Sequence, residues 1–341
     1  MSVDVAGAPV SAEAPLMRTD SLGVSFRVRG GEARALDGVS VDWRRGEILG
    51  VVGESGCGKS TLARALMGLV PANGGEVELD GAAVSGRRDM ARLRNRVQMI
   101  FQDPYQTLNP RQRVRRIITE PLIVQDVAAA EREERVERAM NDVGLDPERF
   151  SDRYPHQLSG GQRQRVAIAA ALVLEPDGLI CDEPVSMLDV SVRAQILAVL
   201  LELRRRRGLG LLFITHDLSL AWSFCDRIVV MYLGRVVEQG DAAAVIERPT
   251  HPYTQALVDA IPVPRPGGGG RRELLAGELP DPTRIPSGCR FNPRCPRSFE
   301  SCERVDPRLV ASGPRDQLAA CLLHDPELAA GAEPGKAATV G

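Results

Sequence analysis

The run Gly53-Glu54-Ser55-Gly56-Cys57-Gly58-Lys59-Ser60-Thr61 limits what this chain can fold into more than any other. It follows Ile48-Leu49-Gly50-Val51-Val52, which reads as a buried strand, and precedes Leu62 to Leu69, which reads as a helix. Strand, glycine-rich turn and helix are the context that the spacing G-x-x-x-x-G-K-[ST] requires. The composition has a physical reason. Glycines let backbone N–H groups curl around phosphate oxygens with no Cβ in the way. The helix N-terminus that follows adds partial positive charge. Gly53, Ser55, Gly56, Gly58 and Thr61 build the cradle, Lys59 is placed to reach the β- and γ-phosphates of a nucleotide, and the Ser60 hydroxyl to ligate Mg²⁺. Basic residues here are otherwise arginine, with lysine only at Lys59 and Lys336, so the loop lysine stands out.

Three further groups fit the same chemistry. Gly178-Leu179-Ile180-Cys181-Asp182-Glu183 is an apolar strand that ends in two carboxylates. Asp182 can hold Mg²⁺ through water, and Glu183 can orient or deprotonate an attacking water. Such a pair alone is usually a helix cap or a solvated turn; the phosphate loop gives it meaning. His216 follows the apolar run Leu211 to Ile214, where the end of the next strand faces the same nucleotide. Leu158-Ser159-Gly160-Gly161-Gln162 opens a helix with small residues and exposed backbone N–H groups, a second anion-binding end. Nucleotide kinases and GTPases do not need two such ends.

Around these motifs, short β-rich runs alternate with helical patterns from Leu22 to about Ile261, which predicts an α/β fold with a largely parallel sheet flanked by helices. Within the nucleotide domain, expected over 19–262, the charged stretch from about 107 to 174 reads as an inserted helical subdomain. Residues 1–18 are expected to be a flexible tail, 263–284 a glycine-rich linker, 285–326 a small cysteine-bearing module and 327–341 a disordered tail. A net charge of -2 lacks the basic bias of a nucleic-acid binder, so no nucleic-acid partner is expected. No apolar run approaches the roughly 20 residues that span a bilayer, and Met1 to Pro15 shows no signal pattern. The chain is therefore expected in the cytosol unless a partner holds it to a membrane.

The motif set resembles that of ABC ATPases over residues 20–262. Leu158-Ser159-Gly160-Gly161-Gln162 is similar to their signature, Gln102 in Phe101-Gln102-Asp103-Pro104 to the Q-loop, and Ser186-Met187-Leu188-Asp189 to the D-loop. His216 corresponds to the switch histidine and Phe26 to the aromatic that stacks on adenine. The resemblance implies ATP and Mg²⁺ as ligands, with Ser60, Gln102 and Asp182 toward the ion and Glu183, His216 and Gln102 in hydrolysis. It also implies head-to-tail pairing of two cassettes, so that Ser159, Gly160, Gly161, Gln162 and Asp189 serve a partner's ATP. A narrower likeness, to the oligopeptide/dipeptide importer ATPases, rests on three runs. They are Phe101-Gln102-Asp103-Pro104-Tyr105-Gln106-Thr107-Leu108-Asn109-Pro110-Arg111, Glu183-Pro184-Val185-Ser186-Met187-Leu188-Asp189-Val190-Ser191 and His251-Pro252-Tyr253-Thr254. Tyr105 and Val185-Ser186 resemble the F-type of the two paralogous subunits. Expected partners are thus a second paralogous ATPase, two transmembrane permeases and an extracellular substrate-binding protein, with the chain peripheral on the cytoplasmic face of the membrane.

Gln157, Met187 and Ala170 depart from the family's usual residues, yet none removes a group that touches phosphate or Mg²⁺. Soluble ABC ATPases of DNA repair or translation usually carry two cassettes or a long coiled coil, and neither is present. A non-catalytic ATP-binding regulator would not need Glu183, Gln102 and His216 together.

Cys289, Cys295, Cys302 and Cys321, spaced C-x5-C-x6-C-x18-C, lie late in the chain, where Gly288-Cys289-Arg290-Phe291-Asn292-Pro293-Arg294-Cys295-Pro296 resembles the importer ATPases' C-terminal region. Four thiols in a segment with little apolar content point to a metal centre as its core. Structural zinc sites usually place cysteines two to four apart, and iron–sulfur clusters tolerate wider spacing. The readings are a 4Fe-4S cluster, which family resemblance favours, zinc, or no metal. Cys181 and Cys225 read as buried hydrophobes, and Cys57, at a helix N-terminus, as either a loop filler or a reactive thiol.

Overall fold

Strands β3 (Ile48–Val52), β7 (Gly178–Asp182) and β8 (Gly210–Thr215) are buried along their whole length, as strands covered on both faces must be. Alternation still sorts their side chains. Ile48, Val52, Leu179, Cys181, Leu211 and Phe213 enter one core cluster. Leu49, Val51, Ile180, Leu212 and Ile214 enter the other. The computed structural model describes residues 14–29, 31–261 and 280–329.

Two sheets are present. The first, in order β2-β1-β4-β5, is antiparallel and comprises β1 (Met17–Val28), β2 (Gly31–Trp43), β4 (Gly74–Leu79) and β5 (Ala82–Ala83). The second has eight strands in order β11-β12-β10-β9-β3-β8-β7-β6. Its remaining members are β6 (Val97–Ile100), β9 (Arg227–Tyr232), β10 (Arg235–Asp241), β11 (Val310–Ala311) and β12 (Leu318–Ala319). β3 lies between β8 and β9 and pairs parallel with both, and β6-β7-β8 continue the parallel half. β9-β10-β12-β11 are antiparallel. The largely parallel sheet expected from the sequence is therefore only part of the β-structure. The antiparallel sheet packs over one face of the main sheet, where Trp43, Leu22, Val24 and Leu36 meet Val51, Ile214 and Met231.

Between β6 and β7 the helices Val114–Val124, Ala129–Asp142 and Gly160–Leu172 pack through Ile117, Ile118, Leu122, Val136, Met140, Val166 and Ile168. The expected tail over 1–18 is corrected at its end. Leu16 and Met17 are wholly buried in the antiparallel sheet's core and β1 starts at Met17; residues 1–13 lie outside the described ones. Most of the expected linker, from 263 to 279, and the expected tail beyond Ala329 also lie outside them.

The separate cysteine-rich module is corrected as well. The late segment has enough apolar surface to join the main core, because Phe291 is buried among Tyr232, Tyr253 and His251. β12 pairs with β10 at Glu238↔Ala319 and Gln239↔Leu318 and extends the main sheet. Buried Glu238 closes the junction by accepting from Thr250, the His251 N–H and Gln317.

Candidate functional site

The loop after β3 turns into the helix Lys59–Leu66 through Gly58, whose φ of 108° belongs to the region that favours glycine. A Cβ there would stand 2.4 Å from the Ala35 carbonyl oxygen, so the backbone can approach β2 only without a side chain. Around this turn lies a cleft of about 400 Å³, lined by Ser55, Gly56, Gly58, Lys59, Ser60, Thr61, Gln102, Glu183 and His216 with Ala35 at its margin. Residues up to 161 positions apart in sequence, Ser55 to His216, thus share one wall because β3, β7 and β8 are parallel neighbours and end on the same side.

Inside the cleft the polar groups are already paired. The buried Lys59 Nζ donates to the carbonyl oxygens of Gly53 and Glu54, both at 2.8 Å. Ser60 Oγ donates to Asp182 Oδ1 at 2.8 Å, at the end of β7. Burial raises the Asp182 carboxyl above its ordinary range, opposed by the Ser60 hydrogen bond and the Arg64 charge. Gln102 Nε2 donates to Glu183 Oε2 at 3.0 Å, and His216 Nδ1 lies 3.1 Å from Glu183 Oε1. One carboxylate is therefore held from both sides. Glu183 takes a left-handed φ of 47° and its N–H donates to Ile214 O, which turns the chain out of β7 just where the side chain must enter the cleft.

The other sequence-derived residues lie elsewhere. Phe26, on β1 opposite Ala33, is exposed and does not line the cleft. Ser159, Gly160, Gly161 and Gln162 do not line it either. Ser159 caps the helix Gly160–Leu172, its Oγ accepting the Gln162 N–H while Gln162 Oε1 accepts the Ser159 N–H. A Cβ on Gly161 would meet Val192 at 2.4 Å, so this turn packs against the helix Val190–Arg207 that Asp189 precedes. Asp189 is exposed, as are Met187 and Val190 beside it.

Two residues that the sequence reading did not place at the site hold its loop. Arg294 meets the Glu54 carboxylate with two nitrogens, at 2.8 and 3.1 Å, and the Tyr253 hydroxyl accepts the Glu54 N–H at 2.9 Å. Arg294 and Tyr253 both lie in quoted runs, but nothing local signals contact across 240 residues.

Of the two readings of Cys57, the structure favours the loop filler over the reactive thiol. Cys57 is completely buried, and burial pushes its pKa up despite the nearby Lys59 charge. Cys181 and Cys225 are buried thiols raised in the same way. Cys289 and Cys295 are pushed up to about 12 and about 11, mainly by burial and further by the neighbouring late thiols. All four late thiols are free, and the Cys289 N–H donates to Cys302 O at 2.8 Å. Among the described residues, however, no group of three or more His, Cys, Asp or Glu side chains is placed to hold a metal ion, so neither expected metal centre has support in the geometry.

Comparison with known proteins agrees with this layout. Residues 36–186 match the ABC transporter family model, and 237–302 match the oligopeptide/dipeptide transporter C-terminal region, which begins inside the main sheet at β10. The chain is 47% identical over 295 residues to the dipeptide transport ATP-binding protein DppF of Escherichia coli, covering 86% of this chain and 87% of that one. It is 45% identical over 300 residues to a peptide import ATP-binding protein of Brucella ovis, covering 87% and 94%. Among solved structures, cbiO1 of Clostridium perfringens, described as part of an ABC transporter complex, aligns with a TM-score of 0.62 at 31% identity over 69% of this chain and 92% of that one. A dimeric ATP-binding cassette bound to ADP and Pi aligns with a TM-score of 0.60 at 28% identity, covering 66% and 98%.

Proposed function

The chain belongs to the ABC transporter family as an ATP-binding subunit of its oligopeptide/dipeptide branch, and from that premise we propose that it is the ATP-hydrolysing motor of a peptide importer. The observation that carries the reading is the Glu183 carboxylate held between Gln102 and His216 at the mouth of the phosphate loop. ATP enters as Lys59 exchanges the Gly53 and Glu54 carbonyls for phosphate oxygens. Glu183 accepts from the attacking water and orients it, while His216 and Gln102 keep that carboxylate aimed at the terminal phosphate. Ser60, Gln102 and Asp182 offer the hard oxygen donors that suit Mg²⁺, which when bound neutralises charge on the phosphates.

Ser159, Gly160, Gly161, Gln162 and Asp189 serve the ATP of a second, paralogous cassette; their position outside this chain's own cleft supports that assignment. The helical stretch between 107 and 174 and the Gln102 region carry the motion to two permease subunits, supplied from outside by a substrate-binding protein. No helix among the described residues is long and apolar enough to cross a membrane, and we assign the subunit a peripheral place on the cytoplasmic face. Peptides are the cargo, a reading supported by what the relatives' names say of those proteins. For the four late thiols the finer assignment is a 4Fe-4S cluster, which rests on their spacing and on family resemblance, since among the described residues these free thiols are not placed to hold a metal ion, and no step of hydrolysis runs through it.

In the assembled complex, Glu183→Gln is expected to keep ATP binding and lower turnover by at least about a hundredfold, holding the ATP-bound pair closed. Lys59→Ala should weaken nucleotide binding itself. Near-normal hydrolysis by Glu183→Gln would overturn the assignment.

A further inference from the structure

The turn Asn292–Arg294 is pinned on both sides. Phe291 before it is buried among three aromatic side chains, and Asn292 Nδ2 donates to the carbonyl oxygens of Ser287 at 2.9 Å and Cys289 at 2.8 Å. From this base the Arg294 guanidinium, 6% exposed, reaches the second residue of the phosphate loop. Its two terminal nitrogens meet the two oxygens of the Glu54 carboxylate, a planar fork that lysine could not reproduce. One of them also lies 3.4 Å from the Tyr232 hydroxyl. The Glu54 main chain is held by its neighbours: its N–H by the Tyr253 hydroxyl and its carbonyl by Lys59 Nζ. Side chain, N–H and carbonyl of one loop residue are thus fixed separately, and two of the three holds come from residues within or beyond α-helix Pro252–Asp259, far along the chain.

We propose that Arg294 is a positioning residue for ATP binding, acting through Glu54 to keep the phosphate loop and Lys59 in the shape that receives the phosphates. The proposal rests on the ATPase reading given above. A loop that is ordered before the nucleotide arrives does not lose that freedom on binding, so the effect falls on affinity rather than on the chemical step. The late segment of the chain is thereby a working part of the nucleotide site, with Cys295 next to the residue that carries the contact.

The test compares the full chain with its Arg294→Met, Arg294→Lys, Glu54→Gln and Arg294→Met/Glu54→Gln variants. ATP affinity is measured by equilibrium dialysis with Mg²⁺, and KM and kcat in the assembled complex. Arg294→Met is expected to raise Kd and KM about tenfold with kcat within about twofold, as for a loop misplaced away from the chemistry. Arg294→Lys should fall between it and wild type. Glu54→Gln should match Arg294→Met, and the double variant should be no worse than either, because both remove one interaction. Additive losses, or an unchanged Kd in Arg294→Met, overturn the proposal. Should Arg294→Met not fold, Glu54→Gln decides alone, since its side chain is partly exposed, and wild-type affinity in that variant overturns it. Wild-type protein that binds no ATP, or Lys59→Ala protein that binds it equally well, would instead remove the ATPase reading on which the proposal stands.

Discussion

Truncating Phe291 to alanine tests whether the late segment is part of the ATPase core. The ring is 1% exposed, and its centroid lies 5.3 Å from Tyr232, 5.4 Å from Tyr253 and 5.8 Å from His251. Tyr232 ends β9 and Tyr253 lies in the helix Pro252–Asp259, so the cavity left behind would open inside the main cluster rather than beneath a detachable flap. Removing a core phenylalanine costs about 3–5 kcal/mol. With an unfolding entropy of roughly 2 cal/mol/K per residue, 341 residues convert that loss into a fall of about 4–7 °C in the main melting transition. With the exposed Trp222 replaced by phenylalanine in both proteins, Trp43, buried in the antiparallel sheet on the far side of β3, reports that transition by fluorescence without touching the mutated site. The nucleotide-free chain should show Trp43 and far-ultraviolet dichroism shifting together. If the Trp43 midpoint moved by less than about 1 °C while residues beyond 280 became protease-sensitive, the segment would be an autonomous appendage and the reasoning would fail.

Two further outcomes are expected. Ser159→Arg, at an exposed helix start outside this chain's cleft, should leave ATP affinity at Lys59 near wild type and impair hydrolysis at the partner's phosphate loop, and full-rate hydrolysis by a strict monomer would contradict it. Anaerobically purified chain should carry about four iron and four acid-labile sulfides, with replacement of Cys295 or Cys302 removing them and sparing ATP binding; metal-free protein with intact late structure would refute the cluster assignment.

The nucleotide cleft was legible in the sequence because its chemistry sits in short contiguous runs at strand ends. Gly53 to Thr61 announces itself locally and gives meaning to Asp182-Glu183 and His216 at the ends of other apolar runs, and parallel strands bring those ends together. What stayed hidden depends on packing between distant segments. Leu16 and Met17 sit in a stretch whose composition reads as a loose tail, and only the antiparallel sheet's core shows why they are buried. Phe291 is a single aromatic among prolines, arginines and cysteines, too little to suggest a core of its own; its partners Tyr232 and Tyr253 lie before the glycine-rich stretch. The left-handed turn at Glu183 was also silent, since glutamate gives no hint of positive φ; the conformation is imposed by the N–H bond to Ile214 on the adjacent strand.

The pairing of β10 with β12 has a consequence for how the protein is made. A ribosome delivers β10 at residues 235 to 241 but its antiparallel neighbour only at 318 and 319. During the intervening translation, several seconds at ordinary elongation rates, the main sheet ends in an open row of backbone donors and acceptors. Such an edge invites pairing with another chain, and Phe291 and Arg294 have not yet reached the phosphate loop. A nascent chain stalled before residue 290 is therefore expected to depend on chaperones more than the finished subunit does, and nonsense truncations between β10 and residue 290 should yield aggregates rather than a shorter working motor.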